Sequence, residues 1–218
     1  MKVAVLRFPG SNCDQDAYFA LKEDLGLAAE YVWHEATSLQ GFEAVFIPGG
    51  FSYGDYLRCG AMASRAPIMA EVHRFAKEGR PIIGACNGFQ ILCEAGLLPG
   101  ALMLNAGQKF VCRNVQLTAV NRTSIWTRGV DRVIEIPIAH GEGRFEADAD
   151  TLAQMEDDGL VAFRYVSNPN GSMNDIAGVV NAKGNVLGLM PHPERATKNL
   201  LGSTDGLTIL RALTLVAA

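Results

Sequence analysis

The alternation of short β-branched runs with helical segments constrains the fold of this chain more than any other feature of its sequence. In residues 1–95, apolar runs of strand length alternate with segments whose apolar residues recur every three or four positions. The predicted strands are residues 2–8, 30–33, 44–47 and 81–85, and the predicted helices are residues 14–25, 67–77 and 89–95. This alternation predicts a parallel sheet whose helices form right-handed crossovers.

The second half of the chain is richer in strands. The further predicted strands are residues 110–120, 133–138, 160–166, 176–180 and 186–190. The last two form a predicted hairpin through a turn that contains Gly184, and a final helix is expected after Thr204 or Asp205. No repeat or linker divides the sequence. We therefore expect one α/β domain over residues 1–218, with a central mostly parallel sheet and extra antiparallel strands in its second half.

Composition and charge exclude several classes of protein. Hydrophobic residues make up 49% of the 218 residues and charged residues 19%, which favours a large core and excludes disorder. A net charge of −4 argues against nucleic acid or an anionic membrane as the main partner. No uncharged run reaches the ~18 residues of a membrane span, and the N-terminal residues lack the cleavage site of a signal peptide.

The cysteines indicate a reducing compartment. There are five, without a C-x-x-C pair, so we expect a cytoplasmic protein with neither a disulfide framework nor a metal site. Four of them, Cys13, Cys59, Cys93 and Cys112, are interpreted as ordinary buried or loop thiols.

The fifth cysteine carries the sharpest chemical signal. Cys86 lies at the junction of a predicted strand and a predicted helix, with Gly84 and Gly88 two residues to either side. This is the pattern of a nucleophile elbow with Cys in place of Ser. A nucleophile in such a strained turn leaves no room for side chains two residues away. The helix N-terminus favours the thiolate and a developing oxyanion. The competing interpretation is a packed cysteine on a tight turn.

A second glycine-flanked residue competes with Cys86. Ser52, between Gly50 and Gly54, matches the G-x-S-x-G pattern of serine hydrolases. No helical pattern follows it, and the segment Pro48-Gly49-Gly50 already forms a turn, so we expect Ser52 in a loop. The backbone N–H groups of Gly49 and Gly50 are free to face a neighbouring strand end and to supply an oxyanion donor.

The nucleophile needs a base, and His192 is the best candidate among four histidines. Prolines on both sides predict an extended backbone, in which Glu194 shares the face of His192. Glu194 can then accept the second ring N–H and stabilise the imidazolium. The alternative is a surface His and Glu on a rigid turn. His140, before a Gly-Glu-Gly segment, is a candidate for the wall of the site, whereas His34 and His73 are expected to be structural or solvated.

These motifs resemble those of the class I, triad-type glutamine amidotransferases. The resemblance rests on G-x-C-x-G-x-Q at residues 84–90 and on His-Pro-Glu at residues 192–194. Residues 48–58, 137–143 and 168–172 resemble, within that class, the glutaminase subunits of phosphoribosylformylglycinamidine synthases. The resemblance covers essentially the whole chain and implies a single flavodoxin-like amidotransferase domain.

The resemblance also implies a role for each site residue. Cys86 is expected to attack the amide carbon of L-glutamine, with His192 moving the proton and Glu194 as third member of the triad. The backbone N–H groups of Gly50 and Asn87 are expected to hold the oxyanion, and water to hydrolyse the resulting thioester. Four residues are expected to contact the substrate: Gly49, Gln90, His140 and Gly141.

The same resemblance implies partners. The sequence contains no phosphate-binding G-x-x-x-x-G-K-[ST] loop, and no cofactor is expected on this chain. ATP and magnesium are expected on a separate synthetase subunit, with a small third subunit in bacterial complexes. Ammonia from glutamine would there convert formylglycinamide ribonucleotide to formylglycinamidine ribonucleotide in purine biosynthesis.

Two alternatives stay open from the residues alone. One is a cysteine peptidase or deglycase-like enzyme on a related fold. The other is a non-enzymatic binding module that uses the apolar loop at residues 51–57. Loss of turnover on replacing Cys86 separates enzyme from module, and specificity for glutamine separates the two enzymes.

Overall fold

The computed structural model describes residues 1–215, which form a nine-stranded sheet, a separate two-stranded sheet and flanking helices. The strands are β1 (Lys2–Arg7), β2 (Ala28–Trp33), β3 (Ala44–Ile47), β4 (Ile82–Ala85), β5 (Ala101–Leu104), β6 (Val111–Ala119), β7 (Ile134–His140), β8 (Glu142–Glu146), β9 (Val161–Tyr165), β10 (Ile176–Val180) and β11 (Val186–Leu189). The helices are α1 (Asp14–Phe19), continued by a π-helical turn (Ala20–Asp24), α2 (Met69–Glu78), α3 (Asn87–Glu94), α4 (Ala149–Asp157), α5 (Gly206–Leu210) and α6 (Ala212–Leu215).

The large sheet has the strand order β2-β1-β3-β4-β11-β10-β9-β6-β7. Its first five strands are parallel, and the remaining pairs are antiparallel. The predicted α/β class, with a parallel first half and extra antiparallel strands later, is confirmed, as is the hairpin of β10 and β11. The strands β3, β4 and β11 are buried along their whole length, as expected for strands covered on both faces.

Two hydrophobic clusters cover the two faces of the sheet. One includes Leu21 and Trp126, and the other includes Phe75 of α2 and Phe89 of α3. Helix α3 packs closely on β11 because a glycine leaves space there: a Cβ on Gly188 would lie 2.1 Å from Cδ2 of Phe89. This packing holds the N-terminus of α3 at the carboxyl ends of β4 and β11.

Some elements differ from the predicted ones. The sequence patterns do not predict β5 and β8, which pair with each other outside the large sheet. They also do not predict α4. This helix buries only Met155, so its apolar residues show little helical periodicity. The final helix follows Asp205 as expected but is divided into α5 and α6. The side chain of Asp205 makes no cap hydrogen bond and instead accepts one from the N–H of Glu135 at 2.7 Å.

The helices of the described region are short. Within residues 1–215, none combines the length and the apolar character that a membrane crossing requires.

Candidate active site

Cys86 occupies a strained turn between β4 and α3. Its φ of 51° and ψ of −107° are unusual for a residue with a side chain. Its backbone N–H donates to the Leu189 carbonyl of the neighbouring strand at 2.8 Å, which fixes the turn to the sheet. The side chain is buried but lines a cavity of ≈ 300 Å³.

The glycines around Cys86 have the steric role that the pattern predicts. A Cβ on Gly84 would lie 2.6 Å from the backbone of Gly88, and a Cβ on Gly88 would lie 2.0 Å from the carbonyl oxygen of Ile47. Neither position accepts a larger residue without backbone movement. The turn is therefore built as a nucleophile elbow.

His192 and Glu194 lie beside this elbow. His192 follows β11, which pairs in parallel with β4, and its backbone N–H donates to Pro137 at 2.8 Å. Its Nδ1 lies 2.7 Å from Oε1 of Glu194, and both side chains are almost fully buried. The pairing agrees with the prediction, but the backbone does not: Pro193–Arg195 forms a 3₁₀ turn rather than an extended chain. The turn, not strand alternation, brings the carboxylate to the ring.

Electrostatics favour the charged form of His192. Burial lowers its pKa, but the negative charges of Glu194 and Cys86, together with hydrogen bonding to both, outweigh burial and raise the pKa to about 10. The imidazolium is thus stabilised between a carboxylate and a thiol. A histidine held in this way can keep a proton taken from the thiol and pass it to a leaving group.

Two backbone N–H groups near Cys86 are available to an oxyanion. Among the described residues, neither the N–H of Gly50 nor that of Asn87 donates to a protein acceptor. The Asn87 side chain joins the two segments, since its Oδ1 accepts from the N–H of Ser52 at 3.2 Å and its Nδ2 donates to Gln90 at 2.8 Å. Ser52 itself lies in a 3₁₀ turn rather than on an elbow, as expected.

The other predicted contact residues occupy different positions around the cavity. Gln90 lines it, and its Nε2 donates to the Glu142 carbonyl at 2.5 Å. His140 and Gly141 also line it. Gly49 lies behind the wall, where its carbonyl accepts from the backbone of residues 12 and 13.

His140 is a buried neutral histidine. Burial, and then the positive charge of His192, lower its pKa to about 4. Its Nδ1 lies 3.0 Å from Oδ1 of Asn105, whose Nδ2 donates to two backbone carbonyls. Nδ1 therefore carries the proton, and the buried Nε2, which has no partner among the described residues, is a free acceptor.

The cavity contains residues that the sequence reasoning did not select. Cys13, Asp55, Cys59 and Arg195 all line it. The interpretation of Cys13 and Cys59 as ordinary thiols therefore overlooked their position. No local pattern marks them, because long-range packing brings them to the site.

Three of the buried side chains have the composition of a metal site. Cys13, His192 and Glu194 offer possible ligand atoms within 4.8 Å of one another. However, Nδ1 of His192 is bonded to Glu194, and the cationic Arg195 donates to Sγ of Cys13 at 3.2 Å. We describe the group as a hydrogen-bonded cluster, and the absence of a bound metal stays a prediction.

Comparison with known proteins identifies the family. A family model for the CobB/CobQ-like glutamine amidotransferase domain matches residues 1–205. A chain in a structure of PurLQS from Thermotoga maritima is 44% identical, with a TM-score of 0.91, and the match covers 100% of this chain and 99% of that chain. The chain belongs to the glutamine amidotransferases. This enzyme class replaces the two alternatives that the residues alone left open.

More distant structures share the fold of this amidotransferase. A putative GMP synthase component from Thermoplasma acidophilum has a TM-score of 0.67 at 15% identity, over 99% of this chain and 93% of that chain. A glutamine amidotransferase from Thermotoga maritima has a TM-score of 0.59 at 16% identity, over 89% of this chain and 76% of that chain.

Gly49→Ala is expected to lower the kcat of the amidotransferase by about 100-fold, the effect of misplacing a reacting group by about 1 Å. The added Cβ would lie 2.7 Å from Cε1 of His192 and 3.3 Å from Cβ of Cys86. Steady-state kinetics measure the change. Gly107→Ala is the matched control, because a Cβ there has no atom within 4 Å. Equal kcat in both variants would contradict the prediction.

Stability is expected to fall in mild acid because of His140. Its pKa drops from 6.5 to about 4 on folding, so the unfolded chain binds the proton first as the pH falls through 6.5. The free energy of unfolding should lose about 3 kcal/mol between pH 6.5 and pH 4 from this group alone. Urea titrations at several pH values test this. We expect the free energy of unfolding to fall less steeply with decreasing pH in His140→Gln. In His73→Gln, whose side chain is exposed, it should fall as steeply as in the wild type.

Proposed function

We propose that this amidotransferase is the glutaminase subunit of a phosphoribosylformylglycinamidine synthase, acting in the cytoplasm. The observation that carries the proposal is its 44% identity over the full length to a chain in PurLQS of Thermotoga maritima. The match covers 100% of this chain, so it includes every element around the cavity.

The chemistry begins at the elbow. The thiol proton of Cys86 is held on His192 as the stabilised imidazolium, and Sγ attacks the side-chain amide carbon of glutamine. The C–N bond then breaks, and His192 gives its proton to the departing ammonia. Water hydrolyses the γ-glutamyl thioester to glutamate and restores the thiol. Glu194, at 2.7 Å from Nδ1, keeps the other ring nitrogen protonated and stabilises the imidazolium.

Two further groups act on the substrate. The free N–H groups of Gly50 and Asn87 stabilise the negative oxygen of each tetrahedral intermediate. Gln90 and the His140–Gly141 segment bind the amino-acid end of glutamine, where the Nε2 lone pair of His140 is an available acceptor. Gly49 contributes by leaving space for the His192 ring.

The ammonia is consumed on a second subunit. Free ammonia in water is mostly protonated near pH 7 and is then no nucleophile, so a useful transfer needs a closed route. The synthetase subunit carries ATP and magnesium and makes formylglycinamidine ribonucleotide from formylglycinamide ribonucleotide, and a small third subunit completes the complex.

The mouth of the cavity fits a docking partner. Phe51, Leu104 and Phe110 line the cavity and are about half exposed, and Tyr56 and Leu57 extend further into solvent at 74% and 92% exposure. Contiguous apolar groups of this kind are typical of interaction surfaces. A protein seated here would cover the cavity and exclude water from the ammonia.

Glutamate release tests the function. The chain is assayed with L-glutamine alone and with the synthetase subunits, ATP and formylglycinamide ribonucleotide, using amide-¹⁵N glutamine to follow transfer. We expect much faster glutamate release in the full mixture and ¹⁵N in formylglycinamidine ribonucleotide. Release without ¹⁵N incorporation in the full mixture, or no release there, would refute the proposed role.

Leu57→Asp is expected to weaken binding of the synthetase about tenfold, which corresponds to ~1.4 kcal/mol. Leu57 has a φ of 70°, and Asp tolerates this region better than Leu, so the change does not strain the loop. Sedimentation of the mixed subunits measures the affinity. Leu200→Asp is the control, since Leu200 is 95% exposed and belongs neither to the loop at residues 51–57 nor to the cavity lining. Equal affinities of the Leu57→Asp and Leu200→Asp variants for the synthetase would contradict the assignment of the cavity mouth as the docking surface.

A further inference from the structure

A relay of two side-chain amides joins three segments of the cavity wall. Oδ1 of Asn87 accepts from the backbone N–H of Ser52 at 3.2 Å, and its Nδ2 donates to Oε1 of Gln90 at 2.8 Å. Nε2 of Gln90 donates in turn to the Glu142 carbonyl at 2.5 Å. This amide relay therefore runs from the loop after β3, through the first turn of α3, to the start of β8.

The two ends of the amide relay fix the orientation of both amides. The Glu142 carbonyl can only accept, so it selects Nε2 of Gln90 as its partner, which leaves Oε1 of Gln90 for Nδ2 of Asn87. The backbone N–H of Ser52 can only donate, so it requires Oδ1 of Asn87. Turning over either amide would set like groups against each other. Asn87 and Gln90 are only 1% and 5% exposed, so water cannot compensate for the lost bonds.

The first contact of the amide relay bears on a strained loop. Three residues with side chains have a positive φ of 54° to 70°, namely Tyr53, Asp55 and Leu57. Such a conformation costs free energy and persists only where surrounding contacts determine it. The bond from Ser52 to Asn87 is one of these contacts, since Ser52 directly precedes Tyr53. It ties the loop to the helix that begins after the nucleophile elbow.

The peptide bond between Gly49 and Gly50 is held in one orientation. The Gly49 carbonyl accepts from the backbone N–H groups of residues 12 and 13 at 3.4 and 3.2 Å. The C=O and N–H of a trans peptide point in opposite directions, and no described peptide bond is cis. The Gly50 N–H therefore points away from residues 12 and 13. A rotation that turned this N–H aside would break these bonds and would draw the segment that follows away from Asn87.

We propose that the side chain of Asn87 is a positioning group for glutamine hydrolysis, which is anchored on Gln90 and holds the Gly50 N–H toward the oxyanion. The proposal rests on the proposed glutaminase function. The residues that line the cavity do not include Asn87, so its carboxamide acts through the loop rather than on the substrate. Its loss weakens binding of the transition state more than binding of glutamine, because the oxyanion exists only after Cys86 has attacked.

The test compares Asn87→Ala with Asn185→Ala, a matched loss of a buried amide. Asn185 is 5% exposed, its Nδ2 donates to the carbonyls of Ala76 and Arg80, and it does not line the cavity. In the assembled complex, kcat and KM for L-glutamine are measured. In the isolated chain, the rate of Cys86 alkylation by iodoacetamide is followed by peptide mass spectrometry. Melting temperatures identify any variant that fails to fold.

Asn87→Ala is expected to lower kcat about 100-fold, with a smaller change in KM, which is the lower end of the effect of removing one oxyanion donor. Its rate of Cys86 alkylation should stay at the wild-type value, because iodoacetamide loses iodide from a saturated carbon and forms no oxyanion. A role in stability alone would lower the melting temperature without separating the two rates. Asn185→Ala should keep both the kcat and the alkylation rate of the wild type.

Hydrogen exchange gives a second measurement, which needs no activity. In the isolated chain, deuterium uptake is followed in the peptide over residues 48–58. The Ser52 amide is expected to exchange about tenfold faster in Asn87→Ala, because it loses its acceptor, and at the wild-type rate in Asn185→Ala. Asn87→Asp keeps an acceptor oxygen at this position, so it should keep the wild-type uptake.

Three results would overturn the proposal: wild-type kcat in Asn87→Ala, an alkylation rate that falls as far as kcat, or unchanged deuterium uptake in residues 48–58. If Asn87→Ala fails to fold, faster uptake in Asn87→Asp overturns the proposal, and wild-type uptake in that variant supports it. If the wild-type complex releases no glutamate, the proposed function fails, and the exchange data still decide whether Asn87 holds the loop.

Discussion

Glutamate release should fall to background in Cys86→Ala, while the complex still forms product from ammonium salts. The variant lacks the sulfur that would form the proposed thioester, and the Cys13 thiol, although it lines the same cavity, is bound by Arg195. The φ of 51° at residue 86 is equally demanding for Ala and Cys. The elbow and the surface for the synthetase are therefore expected to persist.

Two measurements check this expectation. Glutamate is assayed in the full complex with glutamine, and nucleotide product is assayed with ammonium chloride. Cys93→Ala, seven residues further along α3, should match the wild type in both assays. Glutamine-dependent turnover in Cys86→Ala above the assay background would exclude Cys86 as the nucleophile.

Glu194→Gln should lower kcat about 10²- to 10⁴-fold, the range for loss of an effective general base. The amide keeps the size of the side chain but removes the negative charge that raises the pKa of His192. The imidazolium should then lose its proton at lower pH, and the alkaline limb of the kcat profile should move to lower pH.

The pH profile of kcat in the complex provides the measurement. Glu78→Gln is the control, because Glu78 pairs with Arg74 on α2 and does not line the cavity. An unchanged alkaline limb in Glu194→Gln would mean that another group orients His192.

Local sequence was sufficient to predict the elbow and to select its proposed base. Cys86 is recognisable because a strand, two flanking glycines and a helix follow one another within about ten residues. Pro191 and Pro193 mark His192 in the same way, although they produce a 3₁₀ turn rather than the extended chain that their φ restriction suggests. In both cases the residues that mark the site lie within a few positions of it in the sequence.

Long-range contacts could not be predicted. Cys13 lies 73 positions before Cys86 and reaches it only because the loop around Ser11 bridges to Gly50. No periodicity encodes such a loop-to-loop bridge. Helix α4 was not predicted for another reason: it buries one residue, Met155, and a single buried residue gives no apolar stripe.

The position of β11 has a consequence for synthesis of the chain on the ribosome. This strand is the last of the sheet in sequence, yet it lies in the interior, between β4 and β10. A chain still being made thus carries the Cys86 segment long before the strand that brings His192 has emerged. A nascent or truncated chain that ends before residue 192 has the proposed nucleophile without its proposed base, so we expect it to leave glutamine intact until the sheet is complete.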